Sequence, residues 1–339
     1  MLMTKEIVRS RAPLRIGIAG GGTDVEPYAS QKGGVVFNAT INRYAYCSIL
    51  PNDTDRLSMR SLDYGTFEAP LDGGPLKYDG NLDLAKAVAN HFDIKDGFDM
   101  FIHSEAPPGS GLGGSSTVII AILKAVTAWQ DIHMTKHEIA ALAYHLEREV
   151  LGLKGGKQDQ YAATFGGFNR MEFRADGVDV IPLSISSDTI DELQYCSLLC
   201  YTGKSRESAG IIDSQVKSFK EGSNEDALDA AKELAMELSN KLVHGNIPEV
   251  GRLLGESWAH KKRFSSKISN PMIDAMYQTA IANGAYGGKV SGAGGGGFMY
   301  FICEYDKKHQ VAKELIKWGA RVTDFMFEPN GAHSWRTIV

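Results

Sequence analysis

The chain of 339 residues is too long for one small core and fits two compact domains of roughly 150 residues each. With 43% hydrophobic and 23% charged residues it lacks the low hydrophobicity and high charge of a disordered chain. Its formal charge of -5 gives no global basic field, so neither nucleic acid nor an anionic membrane is expected as a partner. Cys47, Cys196, Cys200 and Cys303 form no C-x-x-C pair or closely spaced framework and read as buried apolar residues. Residues 1–14 contain no apolar segment of signal length, and no run approaches the roughly 18 apolar residues of a membrane span, so a cytoplasmic address is expected.

In chain order, strand-like runs fill residues 7–70, among them 7–19, 35–37, 44–49 and 56–59. A helix is predicted over 82–92 with Asn81 as its cap. Residues 98–103 read as a strand and 115–129 as a helix. Thr135 opens the next helix through a Thr-x-x-Glu capping box with Glu138. Along it Ile139, Leu142, Ala143, Leu146 and Val150 make an apolar stripe, with Glu147 at its edge and half committed to the interior. Residues 167–173 and 178–181 pair as a hairpin around 175–177. A strand over 198–201, four helical segments between about 205 and 283, and a final strand, helix and strand complete the chain. Pro182 and the polar run 184–188 set a boundary that divides the chain into domains 1–185 and 186–339, and the mixed order of elements indicates an α+β class.

The 37 glycines exceed the usual share of about 7% and fall in blocks. Gly20-Gly21-Gly22 ends the first strand-like run, and Gly109, Gly111, Gly113 and Gly114 follow the run 98–103. Gly155-Gly156 and Gly166-Gly167 bracket Lys157-Gln-Asp-Gln-Tyr161, and Gly292 with Gly294 to Gly297 precede the run 298–302. Turns free of side chains beside strands suit the close approach of a bulky group, most often a phosphate.

Two nucleotide signatures fail on context. Gly109-Ser-Gly111-Leu-Gly113-Gly114 satisfies G-x-G-x-x-G, but the acidic residue that a dinucleotide fold needs about 20 residues on falls on Asp131, in a loop between two helices. Gly203-Lys-Ser205 resembles a P-loop end, yet the first glycine of that pattern would fall on Leu198, inside a strand. What remains is the loop Pro107-Pro-Gly-Ser-Gly-Leu-Gly-Gly-Ser-Ser116, which delivers its amides to the start of a helix. Unpaired N–H donors and the positive end of the helix dipole there stabilise a phosphate without any lysine.

Three segments, in order, resemble the GHMP kinases, the family of galactokinase, homoserine kinase, mevalonate kinase and phosphomevalonate kinase. They are Ala12-Pro-Leu-Arg-Ile-Gly-Ile-Ala-Gly-Gly-Gly-Thr-Asp24, the loop Pro107 to Ser116, and Gly288-Lys-Val-Ser-Gly-Ala-Gly-Gly-Gly-Gly297, and together they span nearly the whole chain. The resemblance implies a two-domain fold, with an N-terminal domain like domain 2 of ribosomal protein S5 and a ferredoxin-like C-terminal domain. It also implies phosphoryl transfer from ATP with Mg²⁺. It assigns ATP to Pro108, Gly109, Ser110, Gly111, Leu112, Gly113, Gly114, Ser115 and Ser116.

On the same resemblance, Asp159 in Gly156-Lys-Gln-Asp-Gln160 meets the substrate hydroxyl and Arg15 balances charge beside it. Read from the residues alone, Asp159 caps a short helix and Arg15 is a surface strand residue. Glu147 and Ser115 face the metal. Gly114 stands where the family usually has a serine and Ser116 where it has alanine, so which serine meets the metal is open. Gly22, Thr23, Asp24, Gly156, Lys157, Arg206, Gly292 and Gly294 are expected at the substrate, with Asp24 an acceptor for sugar hydroxyls. The run Val290-Ser-Gly-Ala-Gly294 either supports the nucleotide loop or meets the substrate.

Tyr201-Thr-Gly-Lys-Ser-Arg-Glu-Ser208 and the stretch Trp258 to Asp274 resemble the family's D-glycero-D-manno-heptose 7-phosphate kinase branch. That branch implies transfer to the anomeric hydroxyl of a sugar phosphate. It makes Lys157, Lys204, Arg206, Lys261 and Lys262 candidate ligands of the sugar's phosphate; the other reading of Lys261-Lys-Arg263 is a solvated helix face. A kinase for an unphosphorylated sugar, of the fucokinase or galactokinase kind, and a non-catalytic sugar sensor are the alternatives. A monomer or a homodimer is compatible with all three.

Overall fold

The computed structural model describes residues 6–71, 74–203 and 208–338. Its first half is organised by two long strands, β1 (Glu6–Ala19) and β2 (Gly34–Pro51), paired antiparallel. The separate runs 35–37 and 44–49 are thus one strand. In its polar middle Asn38 and Thr40 are fully buried, Thr40 Oγ1 donating to Glu328 O and Asn38 Nδ2 to Met171 Sδ, while Asn38 Oδ1 has no partner among the described residues. The register shifts between Pro13 and Leu14, beside a residue with no N–H to give the ladder.

The other edge of β2 is shared. Its later half pairs with β5 (Phe98–Ser104), which lies parallel to β3 (Arg56–Ser61), itself in a hairpin with β4 (Gly65–Pro70). Its earlier half pairs with β6 (Phe168–Arg174), hairpinned to β7 (Gly177–Pro182) as the sequence predicts. Behind this sheet Cys47, Ile49, Phe98 and Met100 form a core with α2 (Asp83–His91) and α3 (Gly114–Trp129). Asn81 does not cap α2. Leu82 occupies the cap position in the left-handed region, and the Asp83 carboxylate holds the turn by accepting from the Asp79 and Gly80 amides.

Thr135 and Glu138 form the predicted reciprocal box at the start of α4 (Lys136–Tyr144). The apolar stripe then breaks, because His145–Val150 is a wider π-helical turn closed by Leu151 N to Leu146 O. The slip turns Val150 outward, 41% exposed, and draws Glu147 from the predicted edge to complete burial. After α5 (Gln158–Phe165) and the β6–β7 hairpin, the polar run 184–188 starts an unpredicted helix, α6 (Ser187–Cys196), with Ser186 as its cap.

The second sheet is antiparallel and contains β8 (Ser197–Tyr201), β9 (Ala285–Val290), β10 (Phe298–Cys303) and β11 (Arg321–Thr323) in the order β11-β8-β10-β9. Numbered from β8, that is the 4-1-3-2 order of a ferredoxin-like sheet. The four expected helices are α7 (Ala209–Lys220), α8 (Glu225–Val243), α9 (Ile247–Lys262) and α10 (Pro271–Ala282); α11 (Lys308–Lys317) precedes β11. β9 was not legible as a strand because Gly287 and Gly288 interrupt it. A Cβ on Gly287 would sit 2.0 Å from Gly251 O, so α9 lies against the strand backbone.

A shared core joins the halves. Leu14, Ile16 and Ile18 of β1 pack with Leu238 and Leu242 of α8, Leu253 and Leu254 of α9, and Tyr300 and Ile302 of β10. The chain finally returns to the first sheet, where β12 (His333–Ile338) pairs antiparallel with β1. All four cysteines are buried and free, as expected.

Candidate active site

The loop between β5 and α3 is shaped by Gly109, Gly111 and Gly113, which hold φ of 72°, 83° and 80°. These left-handed positions fold the backbone so that α3 begins at Gly114 with no side chain capping its amides. Two serines follow, but neither acts as a cap. Ser115 Oγ and Ser116 Oγ donate to Glu147 Oε1 and Oε2, each at 2.7 Å.

Glu147 receives more than the serines. Gln160 Nε2 donates to Oε2 at 2.6 Å and the Arg148 guanidinium pairs with Oε1 at 3.1 Å. The carboxylate is therefore a fully buried hub that ties the start of α3 to α5. Gln160 is part of this hub although nothing in the sequence beyond its place after Asp159 marks it. Arg148 is fixed by close approach, since a Cβ on Gly155 would lie 2.3 Å from its guanidinium carbon.

Asp159, in the first turn of α5, is positioned differently. Arg15 Nε donates to its Oδ1 at 2.7 Å, and Arg15 Nη2 lies 2.7 Å from the same oxygen. Oδ2 has no hydrogen bond among the described residues and lies 3.2 Å from where a Cβ on Gly113 would stand. Arg15 is 3% exposed, not a surface strand residue, and its Nη1 donates to Gly111 O in the phosphate loop. The catalytic pair expected from the sequence and the loop are thus one assembly.

The turn after β1 brings Asp24 to the same place. Its Oδ1 accepts from Gly22 N at 2.9 Å and its Oδ2 from Gln158 N at 3.1 Å. Gly156 must be glycine here, because a Cβ would stand 1.9 Å from Asp24 Oδ2. Gln215 of α7 braces the turn by donating to Gly22 O.

Several expected ligands are placed elsewhere. Thr23 is fully buried, with its hydroxyl bonded to Gly20 O and Val35 O, so it builds the turn and does not reach the cavity. Leu112 is a core residue, and Ser116 is buried behind Ser115. Lys157 points to Glu26, at 2.8 Å. Gly294 backs onto Ile268, and Lys262 pairs with Asp274. Lys204 and Arg206 lie outside the described residues.

The third glycine segment supports the phosphate loop. Phe298 N donates to Ser110 O at 2.9 Å, and a Cβ on Gly292 would lie 2.7 Å from Gly111 Cα. Gly292 also lines the cavity. Lys261 is not on a solvated face; it is 5% exposed and its ammonium donates to Gly292 O. Lys289, 1% exposed, links the halves by donating to Ile18 O at 3.1 Å, and burial holds its pKa well below the ordinary lysine value, with Lys261 and Arg15 adding to the shift.

These groups border two connected cavities. One has a polar floor of Arg15, Asp24, Asp159 and Lys261. The other, about 690 Å³, is an apolar chamber with Leu82, Ile102, Val118, Ile122 and Leu153 in its walls. They meet at Pro108, Gly109, Ser115, Arg148 and Tyr64. Tyr64, at the β3–β4 turn, is a residue that sequence reasoning missed, since a lone turn tyrosine carries no motif.

Residues 82–167 match the GHMP kinases N terminal domain and residues 225–321 the GHMP kinases C terminal domain. A D-glycero-alpha-D-manno-heptose 7-phosphate kinase of Campylobacter jejuni is 39% identical over 97% of this chain and 99% of its own length. The chain belongs to the GHMP kinase family. A crystal structure described as a D-glycero-D-manno-heptose 1-phosphate kinase from Bacteriodes thetaiotaomicron superposes with TM-score 0.82 at 37% identity, covering 97% of this chain and 98% of that one. An L-fucokinase/L-fucose-1-P guanylyltransferase of Bacteroides fragilis is 30% identical over 92% of this chain and 36% of its own length.

As a GHMP kinase the protein is an ATP-dependent phosphotransferase with an alcohol acceptor, and the two-domain fold is the family's. The family implies magnesium, and the residues fit it in one way. Among the described residues no group of three or more His, Cys, Asp or Glu could hold a metal alone. Ser115 Oγ, which lines both cavities, and Glu147 Oε1, in the wall of the apolar one, are adjacent oxygens that suit an ion shared with nucleotide phosphates once Arg148 gives up Oε1. Among the described residues no helix is long and apolar enough to cross a membrane.

Proposed function

We propose that this GHMP kinase phosphorylates the anomeric hydroxyl of D-glycero-D-manno-heptose 7-phosphate, giving the 1,7-bisphosphate, in nucleotide-activated heptose synthesis. The observation that carries the reading is the full-length likeness to the Campylobacter enzyme of that name. Asp159 and Glu147 are both present at the cavities, which favours an enzyme over a sensor built on the same fold.

In this reading the nucleotide base occupies the apolar chamber and the phosphates rest on the uncapped amides between Gly109 and Ser115. Ser115 and Glu147 would hold magnesium, which would supply neutralisation of phosphate charge. Asp24 accepts hydroxyl hydrogen bonds from the sugar and fixes its orientation. Asp159 Oδ2 receives the proton of the attacking hydroxyl, a contribution of about 10² to 10⁴ in rate. Arg15 keeps Oδ1 occupied, so that Oδ2 is the oxygen presented to substrate. Lys157 is occupied by Glu26 at 2.8 Å, and Lys154, which lines both cavities and lies 3.9 Å from Asp213, is the cation that we assign to the sugar's own phosphate.

The test is ³¹P NMR of the protein with MgATP and the heptose 7-phosphate, beside fucose, galactose and the heptose without phosphate. A new anomeric phosphate signal with the 7-phosphate alone is expected. Turnover of an unphosphorylated sugar instead would retain the kinase and overturn the heptose-phosphate assignment.

A further inference from the structure

Lys261 stands apart from the other lysines around the site. It leaves the last turn of α9, in the second half of the protein, yet it is buried in the polar floor. Its partner Gly292 packs on Gly111 of the phosphate loop, and Gly111 O is also the acceptor of Arg15 Nη1. Arg15 from β1 and Lys261 from α9 therefore approach the same stretch of loop backbone from two sides. The charged groups facing the ammonium are Arg15 on β1, Asp24 in the turn after it, Asp159 on α5 and Lys289 on β9. Among the described residues Gly292 O is its one hydrogen-bond acceptor, which leaves two of its three donors for a ligand.

We propose that Lys261 binds the phosphoryl group in transfer, completing from the second half of the protein a cationic clamp that Arg15 begins from the first. The inference rests on the kinase reading above and deepens it. The sugar O1 forms a bond to Pγ as the bond from Pγ to the β,γ-bridging oxygen breaks. That bond's electrons leave with ADP, the hydroxyl proton passes to Asp159, and Lys261 keeps its protons throughout. Its place beside Asp159 and the phosphate loop puts it at the reacting end of the sugar, away from a phosphate carried on the terminal carbon. Burial pushes the ammonium down to about 8, with Arg15 adding to the shift and Asp24 and Asp159 opposing it, so the charged form is lost as pH rises through that value.

The experiment compares Lys261→Met and Lys261→Arg with Lys262→Met, a neighbour paired with Asp274 outside the site. Lys261→Met is expected to lower kcat by about 10²- to 10³-fold, with little change in KM for the sugar phosphate. The wild-type rate is expected to fall as pH rises through about 8, and Lys261→Arg to flatten that limb while keeping more activity than Met. A second arm needs no sugar: calorimetry of ADP against ADP with aluminium fluoride, a mimic of the transferring group. Here Lys261→Met should weaken the fluoride complex and spare ADP. An unchanged kcat overturns the proposal, as does an effect confined to KM for the phosphorylated sugar, or equal weakening of both nucleotide complexes. If no sugar is turned over by the wild type, the kinase reading fails while the fluoride arm still decides the role of Lys261. Should the methionine variant not fold, the arginine variant and the wild-type pH limb decide it.

Discussion

Two carboxylates border the site, and the protein surrounds them in opposite ways. Glu147 is wholly buried and takes donors on both oxygens, from Ser115, Ser116, Gln160 and Arg148. Asp159 gives one oxygen to Arg15 and presents the other, unbonded, beside the phosphate loop. A carboxylate saturated with donors is a fixed anchor, whereas one with a bare oxygen can receive a proton from a ligand. The difference arises locally. Glu147 lies on a π-helical turn that rotates it inward, and Asp159 lies at the start of a helix, facing the glycines of the loop.

Breaking the contrast at its open end should have the largest effect. Asp159→Asn is expected to reduce ADP formation by about 10²- to 10⁴-fold with an unchanged far-UV spectrum. Near-normal turnover would remove Asp159 as the base. At the saturated end, Glu147→Gln should lower activity by roughly 10- to 100-fold and raise the Mg²⁺ concentration needed for half-maximal rate. If that requirement does not move, the assignment of Glu147 to the metal fails. Gly156→Ala sharpens the comparison by displacing a third carboxylate, Asp24, and is expected to lower kcat/KM for the sugar by on the order of tenfold while KM for ATP stays put. The smallest effect belongs to Thr135→Ala, which removes the cap of α4 just before the π turn. It should cost about 1 kcal/mol in chemical unfolding and leave KM untouched; a large kinetic change would mean that the cap positions Glu147.

The glycine loop and the capping box are legible because each is encoded in a short run of residues with one physical purpose, whereas Arg15 and Asp159, 144 residues apart, come together in the reading only through the family resemblance. A helical stripe read at 3.6 residues per turn sets Glu147 at its edge and does not foresee the inserted residue that rotates it into the interior. Thr23 looks available as a ligand because it is a polar residue in a glycine turn, but its hydroxyl is used up by backbone carbonyls 3 and 12 residues away. Asn81 has the right chemistry for a cap, but Asp83 holds the turn from inside the helix. Lys261 lies in a basic run that resembles any solvated helix face, and only its burial and its bond to Gly292 O, in the loop between β9 and β10, show that it faces inward. Strand β12 was missed as a partner of β1 because pairing between distant segments leaves no local signal.

That last pairing bears on how the protein is made. During synthesis β1 emerges long before β12, so the edge of β1 from Glu6 to Arg11 has no partner while the intervening chain is translated. An unpaired edge of this kind is a template for association with other chains. The start of the strand that carries Arg15 is therefore closed late, and nascent chains interrupted before residue 333 should be prone to aggregate rather than to accumulate as a partly working kinase.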